Sequence, residues 1–330
     1  MAGRGNRLRP HTLTLPKPLV PVGGKPIVYR LVEDIAAVCA DKIDEIAFVI
    51  GDFGEQVEKD LLQVAEKLGA KGSVYYQKEP LGTAHAVLCA AEKLVGPVVV
   101  AFADTLFRAD FKISPSDEGI LWVKQIEDPS SFGVVKLNSE GEIVDFIEKP
   151  QEFVSDLAMI GIYYFKDGTR LRKELDYLID NNVMKSGEYQ LPDALRRMTS
   201  SGCVFKPGEV SEWLDCGNKE VTVQTNKRVL DFDFEKNRPL VHASAKITNS
   251  QIIPPCFIGE NACIENSIIG PHVSVGANTK IKSSILKNSN VQENTNIVDA
   301  VIFNSMIGSH VNYNGKANDL SLGDFSIVNE

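Results

Sequence analysis

The chain has 330 residues, 43% hydrophobic and 24% charged, a globular balance that excludes a disordered or collagen-like chain and leaves room for two domains. Its longest apolar run, near Val95 to Ala103, is about nine residues, half a membrane span, and the start lacks a charged-then-apolar export layout, so a cytoplasmic protein is expected. A net charge of −9 argues against a general nucleic-acid or acidic-membrane surface.

Charge is unevenly spread. Residues 1–30 hold Arg4, Arg7, Arg9, Lys17, Lys25 and Arg30 and no acidic residue, a local +6 that leaves −15 for the other 300. Such a segment suits a compact anion, and Gly3, Gly5, Gly23 and Gly24 are expected to let backbone amides approach it. Cys39, Cys89, Cys203, Cys216, Cys256 and Cys263 form no CxxC pair and read as reduced core thiols.

In chain order, hydrophobic periodicity predicts a helix over 26–40, a strand over 45–50, a helix over 55–68 and a strand over 73–77. A helix over 83–94 and a strand over 97–103 follow, an alternation that argues for a parallel sheet covered by helices. Short strands near 120–125, 132–137, 143–147 and 158–165 suggest a mixed-sheet insertion, and helices near 169–181, 191–199 and 219–231 close the first domain. Beyond a polar linker at 232–240, Ile258, Ile264, Ile269, Val275, Ile281, Leu286, Val291, Ile297, Ile302 and Ile307 recur every five or six residues with Gly, Asn and Ser between. That hexad pattern predicts a left-handed parallel β-helix over 241–330, with one branched aliphatic per face inside and small polar residues at the corners.

The motifs stand in the first 231 residues. The opening runs Ala2, Gly3, Arg4, Gly5, Asn6, Arg7, Leu8, Arg9, Pro10, with Pro16, Lys17, Pro18 beyond. Backbone donors beside fixed cations suit a triphosphate, because attack on phosphorus needs its developing charge neutralised. The Walker spacing GxxxxGK[ST] is absent. Gln77 precedes Pro80, Leu81, Gly82 and Thr83; Asp104 ends an apolar strand; Phe132, Gly133 and Val134 lead to Glu148, Lys149 and Pro150; and Glu212, Trp213 and Leu214 precede Asp215. The strand end at Asp104 is where open α/β sheets collect ligands.

Taken together and in this order, these segments resemble the sugar-1-phosphate nucleotidyltransferases, most closely the long glucose-1-phosphate thymidylyltransferases. The resemblance implies a Rossmann-like α/β domain with a mixed sheet and a Mg²⁺-dependent attack of a sugar phosphate on an NTP. By the same resemblance Arg7 and Lys17 are catalytic; Ala2, Gly3, Gly5, Gln77, Gly82 and Thr83 bind nucleotide, with Gly82 admitting the base. Gly133, Glu148, Lys149 and Gly161 bind the sugar phosphate, and Asp104 and Asp215 hold the metal. His85 reads as structural, with a supporting role at the nucleotide left open, while Glu188 and Asp193 read as helix-start residues. The favoured substrates are dTTP and glucose 1-phosphate. Mannose-1-phosphate guanylyltransferase, a UTP-using pyrophosphorylase and a non-catalytic regulatory subunit are the alternatives.

In two places the chain departs from the family pattern. Ala103 stands where the family has Gly before the first Asp, and the loop begins at Met1 without the short hydrophobic strand the family places ahead of it, so the natural start is expected upstream. The β-helix is expected to serve assembly or regulation, as a homo-oligomer, with no nucleic-acid or membrane partner.

Overall fold

A computed structural model describes residues 5–39 and 41–316. The chain divides into two units, Met1–Val20 with Lys25–Asn218 and Pro21–Gly24 with Lys219–Glu330.

The first unit begins with helix α1 (Ile27–Val38), which buries Ile27, Leu31, Ile35 and Val38 along one stripe. Strand β1 (Glu45–Ile50), helix α2 (Glu55–Lys67) and strand β2 (Lys71–Tyr76) form a β-α-β unit whose strands pair in parallel from Glu45↔Lys71 to Ile50↔Tyr76. Helix α3 is shorter than predicted, Thr83–Leu88, and the chain tightens into a 3-10 turn at Ala91–Lys93. Ala84, Val87, Ala90 and Leu94 stay buried across that change, so the apolar period that suggested one long helix is real although the hydrogen bonding alters.

Six further strands build a mixed sheet: β3 (Val98–Ala101), β5 (Gly119–Gln125), β6 (Gly133–Leu137), β7 (Ile143–Glu148), β8 (Leu157–Phe165) and β9 (Phe205–Glu209). Its order is β3-β8-β5-β9-β7-β6, with β6 also meeting β8. Only β9 and β5 run parallel in it, so the parallel sheet inferred from the alternation is confined to that pair and to β1–β2. Strand β5 is apolar on both faces and central: Ile120, Leu121, Trp122 and Val123 are all buried. Beneath it Phe205 meets Phe146 and Phe165 edge-on at 5.8 and 6.0 Å, each such ring contributing about 1.5–3 kcal/mol by burial. Helices α4 (Gly168–Asp180) and α5 (Leu191–Ser200) pack on this core through Leu171, Leu175, Leu178, Leu191 and Leu195. A separate antiparallel pair, β4 (Thr105–Arg108) with β10 (Glu212–Asp215), carries the two aspartates singled out above to neighbouring strand ends.

The second unit opens with α6 (Lys219–Glu235), so the stretch read as a linker is helical up to Glu235, and the helix predicted to close the first domain groups with the coils. The coils stack three columns of parallel strands at repeats of 16 or 17 residues, as in Lys246↔Cys263, Cys263↔Lys280 and Lys280↔Asn296. Nine of the ten hexad aliphatics are buried, and Ile307, near the last coil, is half-buried. The corners need left-handed backbone, which Asn tolerates better than other residues with a side chain: Asn249, Asn261, Asn266, Asn278, Asn288, Asn294 and Asn304 all have positive φ. Their amides form ladders from coil to coil, as in Asn249 to Asn266 at 2.7 Å. Small hydroxyls do the same for the backbone, Ser267 Oγ accepting from Ser284 N at 3.0 Å and Ser284 Oγ from Ala300 N at 3.1 Å.

Gly23 and Gly24 serve this second unit. Gly23 N donates to Asn226 Oδ1 at 2.8 Å, and the space a Gly24 side chain would need is filled by the Phe257 ring. The expectation that both glycines cradle an anion is therefore replaced by packing against α6 and the first coils. All six cysteines are free thiols. Among the described residues no helix is long and apolar enough to cross a membrane.

Candidate active site

The opening loop folds on itself around Lys17. Gly5 has φ +60, and a Cβ there would stand 3.1 Å from Lys17 Cβ and 3.2 Å from Thr12 Cγ2. Thr12 Oγ1 donates to Gly5 O at 2.8 Å, tying the loop's two ends. Only a glycine offers both this backbone and this room, so Gly5 acts here by letting the Lys17 stem pack. Leu8 anchors the loop in the core, and Arg7 beside it is exposed. Ala2 and Gly3 lie outside the described residues.

Lys17 is buried and its Nζ donates to Asp104 Oδ2 at 3.0 Å, a contact across 87 positions. Asp104 stands between β3 and β4; Asp215 ends β10, opposite Thr105, and Cys216 N donates to Asp104 O at 3.1 Å. Lys17 thus contacts Asp104 and acts through its charge on Asp215, at adjacent strand ends. Burial raises the Asp215 carboxyl above its ordinary range; Lys17 and Arg7 oppose the rise, while the Asp104 charge adds to it. A Cβ on Gly217 would lie 2.8 Å from Asp215 Oδ2, so that glycine leaves the carboxylate its space. Ala103 is accommodated as a buried side chain.

The donor set fits a small hard cation. Among the described residues no group of three or more His, Cys, Asp or Glu could hold a metal ion, so the protein would supply at most two carboxylates, Asp104 and Asp215 being the pair the resemblance implies. Mg²⁺ usually takes one or two carboxylates and completes its shell with phosphate oxygens and water, and the Asp104 side chain is 46% exposed to such partners.

A second cluster lies on the β6–β7 hairpin. Gly133 faces Glu148 in register, and a Cβ on Gly133 would meet Glu148 Oε2 at 2.7 Å and Met159 Cε at 2.5 Å. Lys149 follows with φ +45, its N–H donating to Phe132 O at 3.1 Å. Gly161 stands where β8 shifts register against β5, and its missing side chain makes room for Phe102. Phe132 meets Trp213 edge-on at 4.8 Å, which brings the hairpin beside the strand that carries Asp215. Sequence reading named this aromatic pair only as flanking residues. A tryptophan two positions before a candidate ligand, on the same strand face, is the signal that could have found it.

The third cluster opens α3. Gly82 has φ +104 and is enclosed by the 188–190 segment, a Cβ there standing 2.5 Å from Tyr189 O. Tyr189 N donates to Leu81 O, Ala84 N to Tyr189 O and Leu191 N to Thr83 Oγ1, at 2.8–3.0 Å. Gly82 and Thr83 thus fasten α3 to the start of α5. Gln77 follows β2 directly, and its Nε2 donates to Gly82 O at 3.0 Å. Asp193 sits in the first turn of α5, paired with Arg196 at 2.7 Å, and Glu188 bridges back to Lys185.

A buried cation beside a carboxylate at strand ends, next to a glycine-opened hairpin, is an arrangement suited to phosphate in an α/β fold. The chain belongs to the nucleotidyl transferase family, whose model matches residues 1–231, and within it to the sugar-1-phosphate nucleotidyltransferases. It is 31% identical to a glucose-1-phosphate thymidylyltransferase of Streptomyces antibioticus over 87% of this chain and 84% of that one. The Streptomyces griseus protein of the same name is 28% identical over 98% of this chain and 96% of its own length. Among solved structures, a UDP-glucose pyrophosphorylase complexed with UDP-glucose shares the fold with a TM-score of 0.55 and 24% identity, over 72% of this chain and 97% of that one.

Proposed function

We propose that this chain transfers a nucleotidyl group from dTTP to glucose 1-phosphate, giving the nucleotide sugar and pyrophosphate. The observation that carries this reading is the convergence of Lys17, Asp104 and Asp215, in a member of a family that acts on NTP and sugar phosphate. The two relatives' names favour thymidylyl transfer to glucose 1-phosphate over the GTP/mannose and UTP alternatives.

Asp104 and Asp215 would hold Mg²⁺, which when bound supplies positive charge against the phosphates. The chain's own groups act beside it. Arg7 receives the departing pyrophosphate, and Lys17 neutralises charge as it develops on the α-phosphate. Lys149 holds the sugar phosphate, and Glu148 accepts from sugar hydroxyls. An oxygen of the sugar phosphate attacks the α-phosphorus in line; the bond from that phosphorus to the bridging oxygen breaks, and the electron pair leaves with pyrophosphate. The attacking oxygen is already anionic, so the step needs no protein base or nucleophile, and catalysis rests on positioning and charge.

A regulatory subunit would have no need to keep Arg7, Lys17, Asp104, Lys149 and Asp215 together, and their joint presence favours the enzyme. Cytoplasmic residence, where NTPs are made, accords with the reading. Assembly into a homo-oligomer is supported by one column of the β-helix, whose outward Ile268, Ile285 and Val301 lie in register and stay 39%, 41% and 66% exposed.

The test is pyrophosphate release with Mg²⁺ over dTTP, UTP, GTP, CTP and ATP, each against glucose, mannose and glucosamine 1-phosphates. The highest kcat/KM is expected for dTTP with glucose 1-phosphate. Another preferred pair would move the specificity, and no release from folded protein would favour the regulatory reading.

A further inference from the structure

Gln77 is fixed at both ends. Its backbone N–H donates to Ile50 O at 2.8 Å, extending the β1–β2 pairing by one residue, and its side-chain Nε2 donates to Gly82 O at 3.0 Å. The same nitrogen lies 3.1 Å from His85 Nδ1, on the first turn of α3. A carbonyl oxygen only accepts, so the atom facing Gly82 is the amide nitrogen. A primary amide has two N–H groups, and these two acceptors use both, provided the His85 proton sits on Nε2 so that Nδ1 keeps its lone pair. The Gln77 side chain therefore has no donor left and can offer a ligand only its Oε1.

We infer that His85 is a positioning residue that sets the polarity of the base-reading amide and thereby the class of base accepted. The inference rests on the reading of Gln77 as a base contact given above. That oxygen pairs with a base whose Watson–Crick edge carries a ring N–H at its centre, as thymine, uracil and guanine do. Cytosine and adenine bring a ring nitrogen lone pair to that point and meet lone pair with lone pair. While the His85 proton stays on Nε2, a flipped amide loses two hydrogen bonds; without that acceptor a flip loses one, and the discrimination weakens by that difference. The short motif Gly82-Thr83-Ala84-His85 would thus serve two ends: Gly82 and Thr83 fasten the helix, and His85 orients Gln77.

The experiment measures dTTP and CTP dissociation constants by calorimetry, without sugar phosphate, for the full chain and three variants, with melting temperatures alongside. His85→Phe keeps ring volume and removes the acceptor, whereas His85→Asn keeps an acceptor oxygen near the position of Nδ1. The expected result is that His85→Phe weakens dTTP about five- to tenfold and narrows the dTTP-to-CTP ratio by a similar factor, the loss of one hydrogen bond. His85→Asn restores both to within about threefold of the parent. Gln77→Ala separates the two readings: unchanged dTTP affinity there removes Gln77 from the base site and leaves His85 nothing to orient. If Gln77→Ala weakens dTTP while His85→Phe leaves the ratio unchanged, the positioning role is overturned. Equal weakening in the Phe and Asn variants overturns it too, since a role in packing alone would not separate them. Should the Phe variant melt early, the Asn variant decides: parental affinity and ratio support the inference, and a lost ratio refutes it.

Discussion

Lys17→Met is the sharpest single perturbation, because it separates catalysis from folding. Lys17 Nζ stands 3.0 Å from Asp104 Oδ2, a distance at which two unit charges in water attract by about 1.4 kcal/mol. The Lys17 side chain is 10% exposed and that of Asp104 46%, so solvent screens the pair and the net loss on breaking it is about 1 kcal/mol. Methionine keeps the stem that packs on Gly5 and removes the cost of burying an ammonium, which offsets part of that loss. The melting temperature should move by no more than about 3 °C. Activity should behave differently: losing one fixed charge aimed at a developing phosphate anion costs about 10²–10³ in kcat, by analogy with the loss of an oxyanion donor. Initial rates of pyrophosphate release at saturating substrates, with a thermal melt of the same sample, give both numbers. A kcat within threefold of the parent would refute the catalytic role, and a fall of roughly 8 °C or more would make Lys17 a structural residue.

Three further outcomes follow from particular contacts. Gly82→Ala puts a Cβ 2.5 Å from Tyr189 O at φ +104 and should cost about 2–3 kcal/mol, read as a melting temperature lower by roughly 4–10 °C with nucleotide KM raised. Ile281→Ala, in the buried column between Ile264 and Ile297, should cost about 2–5 kcal/mol and appear as faster hydrogen exchange in the adjoining coils, with the strands of the first unit still protected. The raised Asp215 carboxyl gives a pH sign: without metal, its contribution to stability is full below the ordinary carboxylate pKa and is lost as pH rises through the higher folded value. A cation on the carboxylate offsets that loss, so the Mg²⁺-induced gain in melting temperature should grow as pH rises above the ordinary carboxylate range and vanish in Asp215→Asn.

Local periodicity made much of the fold legible. Strand Glu45–Ile50 has the predicted bounds, and the hexad aliphatics from Ile258 to Ile302 line the β-helix interior, because a period of two or six needs only near neighbours. Strands β4, β9 and β10 went unseen for a physical reason: each is four or five residues long, and β9 carries Pro207 and Gly208, which read locally as breakers. Tertiary pairing of β9 with β5 overrides that signal. At the site, residue types were legible and their grouping was not. No spacing rule joins Lys17 to Asp104, or encloses Gly82 within the backbone of Tyr189.

Nucleotidyl transfer can be followed directly by ³¹P NMR of the chain with Mg²⁺, dTTP and glucose 1-phosphate. A new pair of diphosphate resonances should grow in step with pyrophosphate as the triphosphate and sugar phosphate signals fall, with no such growth for Lys17→Met on the same timescale. Release of inorganic phosphate without the paired product, or equal product from the Lys17→Met chain, would contradict the proposed mechanism.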